Sequence, residues 1–318
     1  KMMENQEFEL VLEEALNERD VQLQEKVLPE INIAEAIPVI EGLEFGVETE
    51  DYGVTSVIGS VKDGIIGNKT NSLVTIDSEI EWRKANVGSW GKAAVWTLQE
   101  LEKIAKLGIT LDSKKQDDLY ANALATIQYA GYVGHEGVVG QVGLLNSGDV
   151  EVVKDASGKT LKDLTSTEAV EMILNVYNKA WEKSDYRIQP THIAMDAIDF
   201  MTLVQKFEVE STVVGTDMLP IGAMDRIMAA LRKASHDSTF SVSFVKVPSR
   251  YAQGITKGFN RLACYVYDEQ YVAMKVHMPE LLPTRQRDLL TFECGYRASF
   301  TGALWKEPDS ATYLDYKA

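Results

Sequence analysis

The sequence predicts an α+β fold, because helix and strand patterns are mixed without the regular alternation of a doubly wound parallel sheet. Two observations support this class: capped amphipathic helix patterns, and strand patterns with a period of two, follow each other in irregular order. With 318 residues and 45% hydrophobic content, the chain is long enough for one large domain or two intertwined domains.

Residues 1–30 predict an acidic amphipathic helix that ends at Pro29. The segment contains nine acidic and three basic residues. Its apolar face needs a partner, either its own domain or a neighbouring subunit to which the segment reaches as an arm. The interleaved apolar residues are Phe8, Val11, Leu12, Leu16 and Leu23.

From Phe45 to Trp96 the pattern is that of β-strands. The apolar residues Val74, Ile76, Ile80 and Trp82 alternate with polar and charged residues, which predicts one apolar and one charged strand face. The stretch 64–71 predicts the tip of a long hairpin. Because a two-stranded ribbon is marginal alone in water, it must pack on something else, and another copy of the protein is one candidate.

Three helix starts follow. Thr97 and Glu100 predict a capping box for a short helix ending near Gly108, and Ser113 with Gln116 predicts the start of a longer one. Thr165 and Glu168 predict the third start. The apolar stripe of the longer helix is Tyr120, Ala123, Leu124, Ile127 and Ala130; that of the third is Ala169, Met172, Ile173, Val176, Tyr177, Ala180 and Trp181.

Between and after these helices, the five glycines from Gly131 to Gly143 predict a flexible loop. Two strands are predicted to form a hairpin around residues 268–270, and residues 289–305 a long extended stretch. The other expected elements are a strand at 149–153, a turn at 155–158, a buried strand at 192–195, helices at 196–206 and 221–233, a strand at 240–247, and hairpin strands at 262–267 and 271–278.

Composition limits the classes of function. The formal net charge of −16 and the lack of a long Lys/Arg block argue against sequence-specific nucleic-acid binding. No apolar run approaches the length of a membrane span, and no secretion signal is recognisable. Cys264 and Cys294 lie in apolar strand-like runs, which favours buried, reduced thiols and a reducing cytoplasm.

Motifs of catalysis are weak. Gly158-Lys159-Thr160 is similar to the end of a phosphate-binding loop, but Val153 stands where the first glycine is needed. Ser235-His236-Asp237 are consecutive residues and cannot form a catalytic triad. We therefore expect no catalytic, cofactor-binding or metal-binding residues. The four histidines are far apart in sequence and show no ligand spacing: His135, His192, His236 and His277.

The order of the elements resembles the Hong-Kong-phage capsid fold of the major capsid proteins of tailed bacteriophages. The resemblance covers nearly the whole chain. The residues that carry it are Trp96-Thr97-Leu98-Gln99-Glu100-Leu101, the helix start at Ser113, Gly143-Leu144-Leu145-Asn146, the capped helix to Trp181, Pro190-Thr191-His192-Ile193-Ala194-Met195, and Phe200.

The resemblance implies five segments. They are an N-terminal arm and entry to the peripheral domain (1–44), an extended hairpin loop (45–96), a peripheral domain with a spine helix (97–190), an axial domain (191–261), and return strands of the peripheral domain (262–318). It implies a non-enzymatic subunit of an icosahedral virion shell, assembled in the host cytoplasm from hexamers and pentamers. Each hairpin would lie over one neighbour and each arm under another.

Further partners implied by the resemblance are scaffold, portal and decoration proteins, and packaged double-stranded DNA by non-specific contact, with no membrane and no cofactor. Some family members crosslink a hairpin lysine to a neighbour; Lys62 and Lys69 lie in the corresponding loop, and the uncrosslinked state is the expectation. Two alternatives stay open: an encapsulin-like compartment shell, and a soluble α+β enzyme without a linear motif.

Overall fold

A computed structural model describes residues 32–58, 77–100, 111–209, 220–235, 239–253 and 255–318 of the chain. All of these belong to one structural unit, Ile31–Ala318. The predicted acidic helix at 1–30, the hairpin tip at 64–71 and the helix end near Gly108 lie outside the described residues.

Two β-sheets carry the fold, which confirms the predicted α+β class. The six-stranded sheet contains β1 (Val39–Glu41), β4 (Gly88–Thr97), β11 (Val272–Leu281), β12 (Arg285–Asp288), β13 (Thr291–Phe300) and β14 (Leu304–Trp305). The strands β4 and β13 pair antiparallel along their whole length. Helix α1 (Ile33–Ala36) is a short helix before β1. The long helix α2 (Leu111–Val133) packs across this sheet.

The five-stranded sheet contains β5 (Glu151–Lys154), β6 (His192–Asp196), β9 (Ser243–Val247), β10 (Phe259–Tyr265) and β15 (Thr312–Lys317). Its strand order is β5-β15-β10-β6-β9. The helices beside it are α3 (Ser166–Lys183), α4 (Ala197–Val204), α5 (Ala223–Ser235) and α6 (Ser249–Ala252); a 3-10 turn, Pro308–Ser310, precedes β15.

Two small antiparallel sheets of two strands each lie outside the large sheets. One pairs β2 (Thr49–Ile58) with β3 (Asp77–Asn86), and the other pairs β7 (Phe207–Val209) with β8 (Pro220–Gly222). The pair of β2 and β3 is the part of the predicted hairpin that the structure describes.

The five-stranded sheet separates two hydrophobic cores, because successive strand residues point to opposite faces. On β10, Ala263 and Tyr265 belong to the core that contains α2 and Trp305, whereas Leu262 and Cys264 belong to the core under α3 and α5. Both cysteines are buried and unpaired, and burial raises the pKa of the Cys264 thiol. The burial of both thiols expected from the sequence is confirmed.

Two predicted capping boxes are confirmed. The Thr165 hydroxyl accepts from the Glu168 amide at 3.2 Å, and the Glu168 carboxylate accepts from the Thr165 amide at 2.8 Å. Thr97 and Glu100 make the same pair of bonds at 3.2 and 3.0 Å. The predicted stripe of α3 faces the core, with only Trp181 half-buried.

Two predictions are wrong. Ser113 is not a helix start, because the chain is already helical at Leu111, and a Ser-x-x-Gln spacing also occurs inside helices. The strands at 262–267 and 271–278 do not form a hairpin, because β10 pairs with β6 and β15 while β11 pairs with β1, β13 and β14. Both strands are buried in the middle of a sheet, so each needs partners on both edges and finds them in different sheets.

The loop predicted at Gly131 to Gly143 begins after α2 ends at Val133. A Cβ atom at Gly143 would lie 2.3 Å from the Tyr132 carbonyl carbon, so this glycine permits close packing of the loop on the helix end. Gly134 has a φ of +74°, which also favours glycine.

Candidate assembly surfaces

The ribbon is the antiparallel pair β2 and β3, which forms a sheet of its own. Within the described residues it packs closely against no other helix or strand. Its base is fixed by polar contacts: Glu50 forms an ion pair with Lys275, and Arg83 lies 3.8 Å from Asp149. These contacts hold the base of the ribbon.

One face of the ribbon carries the exposed apolar pair Ile80 and Trp82, whose residues are 56% and 67% exposed. Trp82 lies opposite Gly53 in the ribbon register. A Cβ atom at Gly53 would lie 3.3 Å from Ile80 Cγ2 and 3.7 Å from the Trp82 ring, so both side chains lean over this glycine. The sequence predicted this apolar face.

The exposure of Trp82 has a substantial cost. A tryptophan buries about 150–250 Å² in a core. At about 25 cal/mol per Å², leaving two-thirds of that area in water forgoes about 3 kcal/mol of hydrophobic stabilisation. An exposed apolar pair on a ribbon is therefore a candidate contact surface.

A second surface is a groove of about 740 Å³ on the six-stranded sheet. Its floor consists of small residues of β4 and β13, including Gly91, Ala93 and Gly295, and Phe45, Leu282 and Pro283 line its sides. Helix α2 covers the opposite face of the same strands, where Tyr120 meets Tyr296 at 5.8 Å between ring centroids. The groove face, by contrast, is open.

Cations border the groove. The Arg297 guanidinium lies 4.6 Å from the centre of the Phe45 ring and donates to Glu280 at 2.7 Å. This hydrogen bond lowers the pKa of the Glu280 carboxyl. Arg285 pairs with Glu293, whereas the Lys92 ammonium donates to Asn122 of α2 at 2.6 Å, on the opposite face of the sheet. The charged side chains at the groove are thus two arginines, Arg285 and Arg297, each of which is paired with a glutamate.

Two further exposed apolar patches occur. Leu289 and Leu290 lie between β12 and β13, and Leu289 is 90% exposed. On α4 the exposed residues Ile198, Met201 and Val204 recur at three-residue spacing, and Phe207 follows them. Their spacing places the three helix residues on one side of α4.

Buried polar residues form closed structural networks. Arg261 donates two hydrogen bonds to Asp315, at 2.6 and 2.7 Å, and both residues are buried. Asp196, also buried, accepts from Ser249 at 2.6 Å and from the Ile198 amide at 3.1 Å. These groups fix elements to each other.

The residues weighed for catalysis stay apart. His192 stacks on Tyr267, His277 lies 3.5 Å from Glu280, and His135 forms part of the glycine loop. Lys159 pairs with Glu168 at 2.9 Å. Within the described ranges, no three His, Cys, Asp or Glu side chains gather as a metal site. His236 with its neighbour Asp237, and Lys62 and Lys69 of the hairpin, lie outside those ranges.

A membrane-spanning helix is not found in the described part of the chain.

One family model matches most of the chain, and several solved structures share its fold. The family model described as "Major capsid protein" matches residues 62–316. The capsid of Myoviridae phage XM1 is similar at a TM-score of 0.76 and 15% identity, over 95% of this chain and 97% of that chain. The capsid of an empty GTA particle has a TM-score of 0.60 and 10% identity, over 93% and 94%.

A chain of Gordonia phage Cozz is similar at a TM-score of 0.53 and 11% identity, over 95% of this chain and 90% of that chain. At these sequence identities, the structural similarity shows a shared fold and nothing beyond it. No curated protein sequence matches the chain.

Proposed function

Because the chain belongs to the major capsid protein family and is thus a structural capsid subunit, we propose that copies of it close into an icosahedral shell around a phage genome. Neither the encapsulin-like nor the enzyme alternative gains support from the family match. The role proposed is structural, without a catalytic residue, metal or cofactor.

The ribbon is the observation that carries the proposal. Its apolar pair Ile80 and Trp82 is exposed, and the ribbon packs closely against no other described element of its own chain. A two-stranded ribbon of this length gains stability only by packing on further structure. A neighbouring copy provides such a surface once in every subunit of a closed shell.

For the organisation of the subunit, we propose the segments expected from the sequence. They are an arm (1–44), an extended hairpin loop (45–96), a peripheral domain (97–190), an axial domain (191–261) and return strands (262–318). Helix α2 serves as the spine helix of this scheme. The strand β4, which ends the hairpin segment, pairs with β13 in the six-stranded sheet and joins the ribbon to the body.

For partners, we propose rings of six and five copies, assembled in the host cytoplasm and incorporated into the virion without lysine crosslinks. Scaffold, portal and decoration proteins are candidate additional partners. The net charge of −16 supports only weak, non-specific contact with packaged double-stranded DNA, because like charges repel. A shell with this charge holds its contents without binding them tightly.

Light scattering on the purified full-length chain tests this function. We expect particles, or ring-shaped precursors that convert to particles, of megadalton order. The Trp82→Ala variant should give fewer particles, whereas Tyr186→Ala should not, although Tyr186 is an aromatic residue of similar exposure, 62%. A wild-type chain that stays a small, stable oligomer under all assembly conditions would contradict the proposal.

A further inference from the structure

We propose that Asp196 and Asp199 form a proton-controlled attachment of helix α4 to the five-stranded sheet. The attachment is strong when this carboxyl pair holds a proton, and it loosens when the proton leaves. It is a property of the single subunit and does not depend on shell formation.

The two carboxyl groups lie close together at the start of α4. Asp196 is the last residue of β6, is 1% exposed, and accepts from the Ile198 amide at 3.1 Å. Asp199 lies in the first turn of the helix. The side-chain nitrogen of Asn260 on β10 contacts both groups, at 3.4 Å from Asp196 Oδ2 and 2.6 Å from Asp199 Oδ2. Two carboxylates that share one donor repel each other when both are charged.

The same pair connects α4 to two further elements. Asp196 accepts from the Ser249 hydroxyl of α6 at 2.6 Å, and Asp199 accepts from the Tyr316 hydroxyl of β15 at 2.6 Å. Together with the Asn260 contacts, these hydrogen bonds hold the first turn of α4 on the sheet. A change in the charge of the pair therefore acts directly on the position of the helix.

The Asn260 amide shows that this network has few donors. Asn260 is 3% exposed, and its Oδ1 atom has no hydrogen-bond partner among the described residues, although its nitrogen contacts both carboxyl groups. The reversed amide orientation would place this oxygen against two carboxylates. A buried acceptor without a partner is unfavourable, so the orientation of Asn260 is set by the acidic pair.

Asp199 has a place for the proton. Both of its hydrogen bonds from neighbouring side chains reach Oδ2, which leaves Oδ1 to carry a proton. The residue is only partly buried, so the proton can exchange with solvent. Asp196, by contrast, is fully buried and accepts hydrogen bonds on both oxygens.

No base offsets the charge of the pair, because neither carboxyl group forms an ion pair within the part of the chain that the structure describes. The exposed charged residues Asp225, Lys233 and Lys317 lie on α5 and β15. Other titratable or charged residues of α4 and the surrounding elements have different contacts: His192 with Tyr267, Lys206 with the Lys162 and Leu164 carbonyls, Arg226 with Thr167, Arg232 with the Phe240 carbonyl, Lys246 with the Phe200 ring, Arg250 with Tyr251, and Arg261 with Asp315.

The direction of the effect follows from the environment of Asp199. Burial raises the pKa of this carboxyl above 3.8, the hydrogen bonds from Tyr316 and Asn260 oppose the rise, and the charge of Asp196 adds to it. The attachment is therefore strongest below pH 3.8 and weakens as the pH rises through the folded-state pKa. Because α4 carries the exposed residues Ile198, Met201 and Val204, pH controls how firmly this apolar surface is held.

Hydrogen–deuterium exchange of the unassembled full-length subunit tests the attachment. Exchange of peptides that cover α4 is followed from about pH 4 to about pH 8, and each rate is divided by the intrinsic rate at that pH. We expect protection to fall by up to about tenfold for each pH step until the folded-state pKa of Asp199 is passed, since opening releases one proton. Peptides from α3 in the same sample serve as the internal reference and should keep their protection.

Asp199→Asn cannot ionise and should keep α4 protected over the whole range. The control Asp118→Asn makes the same change at an exposed position of α2 and should retain the wild-type profile. Constant protection of α4 in the wild type would overturn the proposal. So would an unchanged pH profile in Asp199→Asn, with folding checked by circular dichroism.

Tyr316→Phe provides a second test that does not require Asp199 to be replaced. It removes a hydrogen bond that favours the charged carboxylate, so the folded-state pKa of Asp199 should rise further. The loss of α4 protection should then extend to higher pH than in the wild type. A profile that stays in place, or moves to lower pH, would contradict the assignment of the proton to this pair.

Discussion

The ribbon and the five-stranded sheet are both built from β-strands, yet they bury their residues in opposite ways. In the five-stranded sheet, β10 and β15 have apolar cores on both faces. In the ribbon, Trp82 is 67% exposed. Under the proposed function, the five-stranded sheet is complete within one subunit, whereas the ribbon is completed by packing on a neighbouring copy.

Tryptophan provides the clearest contrast between the two regions. Trp305 is 2% exposed and its indole nitrogen donates to the Gly143 carbonyl at 3.4 Å. Trp82 has the same side chain but is mostly exposed to solvent in the subunit. If the two regions differ as described, equivalent truncations must have different consequences for folding and for assembly.

The largest effect is expected from Trp305→Ala. Loss of this buried ring should lower the free energy of unfolding of the unassembled subunit by about 3–5 kcal/mol, since it leaves a cavity next to Tyr313. Denaturant unfolding followed by circular dichroism measures this. A loss below about 1 kcal/mol would show that this core is not tightly packed.

Trp82→Ala should leave the stability of the subunit nearly unchanged and reduce its assembly. The unfolding free energy of the unassembled subunit should change by less than about 0.5 kcal/mol, as is usual for exposed positions. Particle yield, measured by sedimentation, should fall strongly, because each subunit contact loses its aromatic anchor. Normal assembly with lowered subunit stability would reverse the contrast between the two regions.

A smaller change is expected from Thr165→Ala, which removes the N-cap of α3. The cost should be about 1 kcal/mol of unfolding free energy, the usual value for a lost cap. Thr165→Ser keeps the hydroxyl and is the matched control. Assembly of Thr165→Ala at low temperature should remain normal, since α3 packs inside the subunit; loss of assembly in folded protein would place this helix end in a contact.

The smallest expected effect is a change in the pH dependence of folding stability. Burial raises the pKa of Asp199 above its ordinary value of 3.8, with hydrogen bonds from Tyr316 and Asn260 opposing the shift and the charge of Asp196 adding to it. A raised folded-state pKa means that this carboxyl contributes stability below pH 3.8, which is lost as the pH rises through the folded-state value.

Asp199→Asn should therefore melt at a higher temperature than wild type at about pH 7, and the difference should shrink towards about pH 4. The amide can still accept the Tyr316 hydroxyl, which donates to Asp199 at 2.6 Å. Thermal melts at several pH values measure the difference. A variant that is less stable at neutral pH would show that the hydrogen bonds outweigh the burial of the charge.

Much of the fold could be predicted from local patterns. The capping boxes at Thr97 and Thr165 and the apolar stripe of α3 were identifiable because helix starts and faces depend on residues three or four positions apart. The exposed face of β3 was equally evident from its two-residue alternation. In each case the information lies within a few neighbouring residues.

Contacts between distant segments could not be predicted in the same way. The strands β10 and β11 follow each other with a turn between them, as in a hairpin, but their partners β6, β15, β1 and β13 lie elsewhere in the chain. The groove was missed for the same reason, because Phe45, Ala93 and Arg285 meet only after the strands pair. Its small floor residues gave no signal of their own.

The position of Trp82 in an assembled particle tests the central claim most directly. A particle structure resolved to side chains should show Trp82 and Ile80 buried against a different copy of the chain. If instead the ribbon lies on its own subunit, or Trp82 stays in solvent, the claim that assembly completes this part of the fold is wrong.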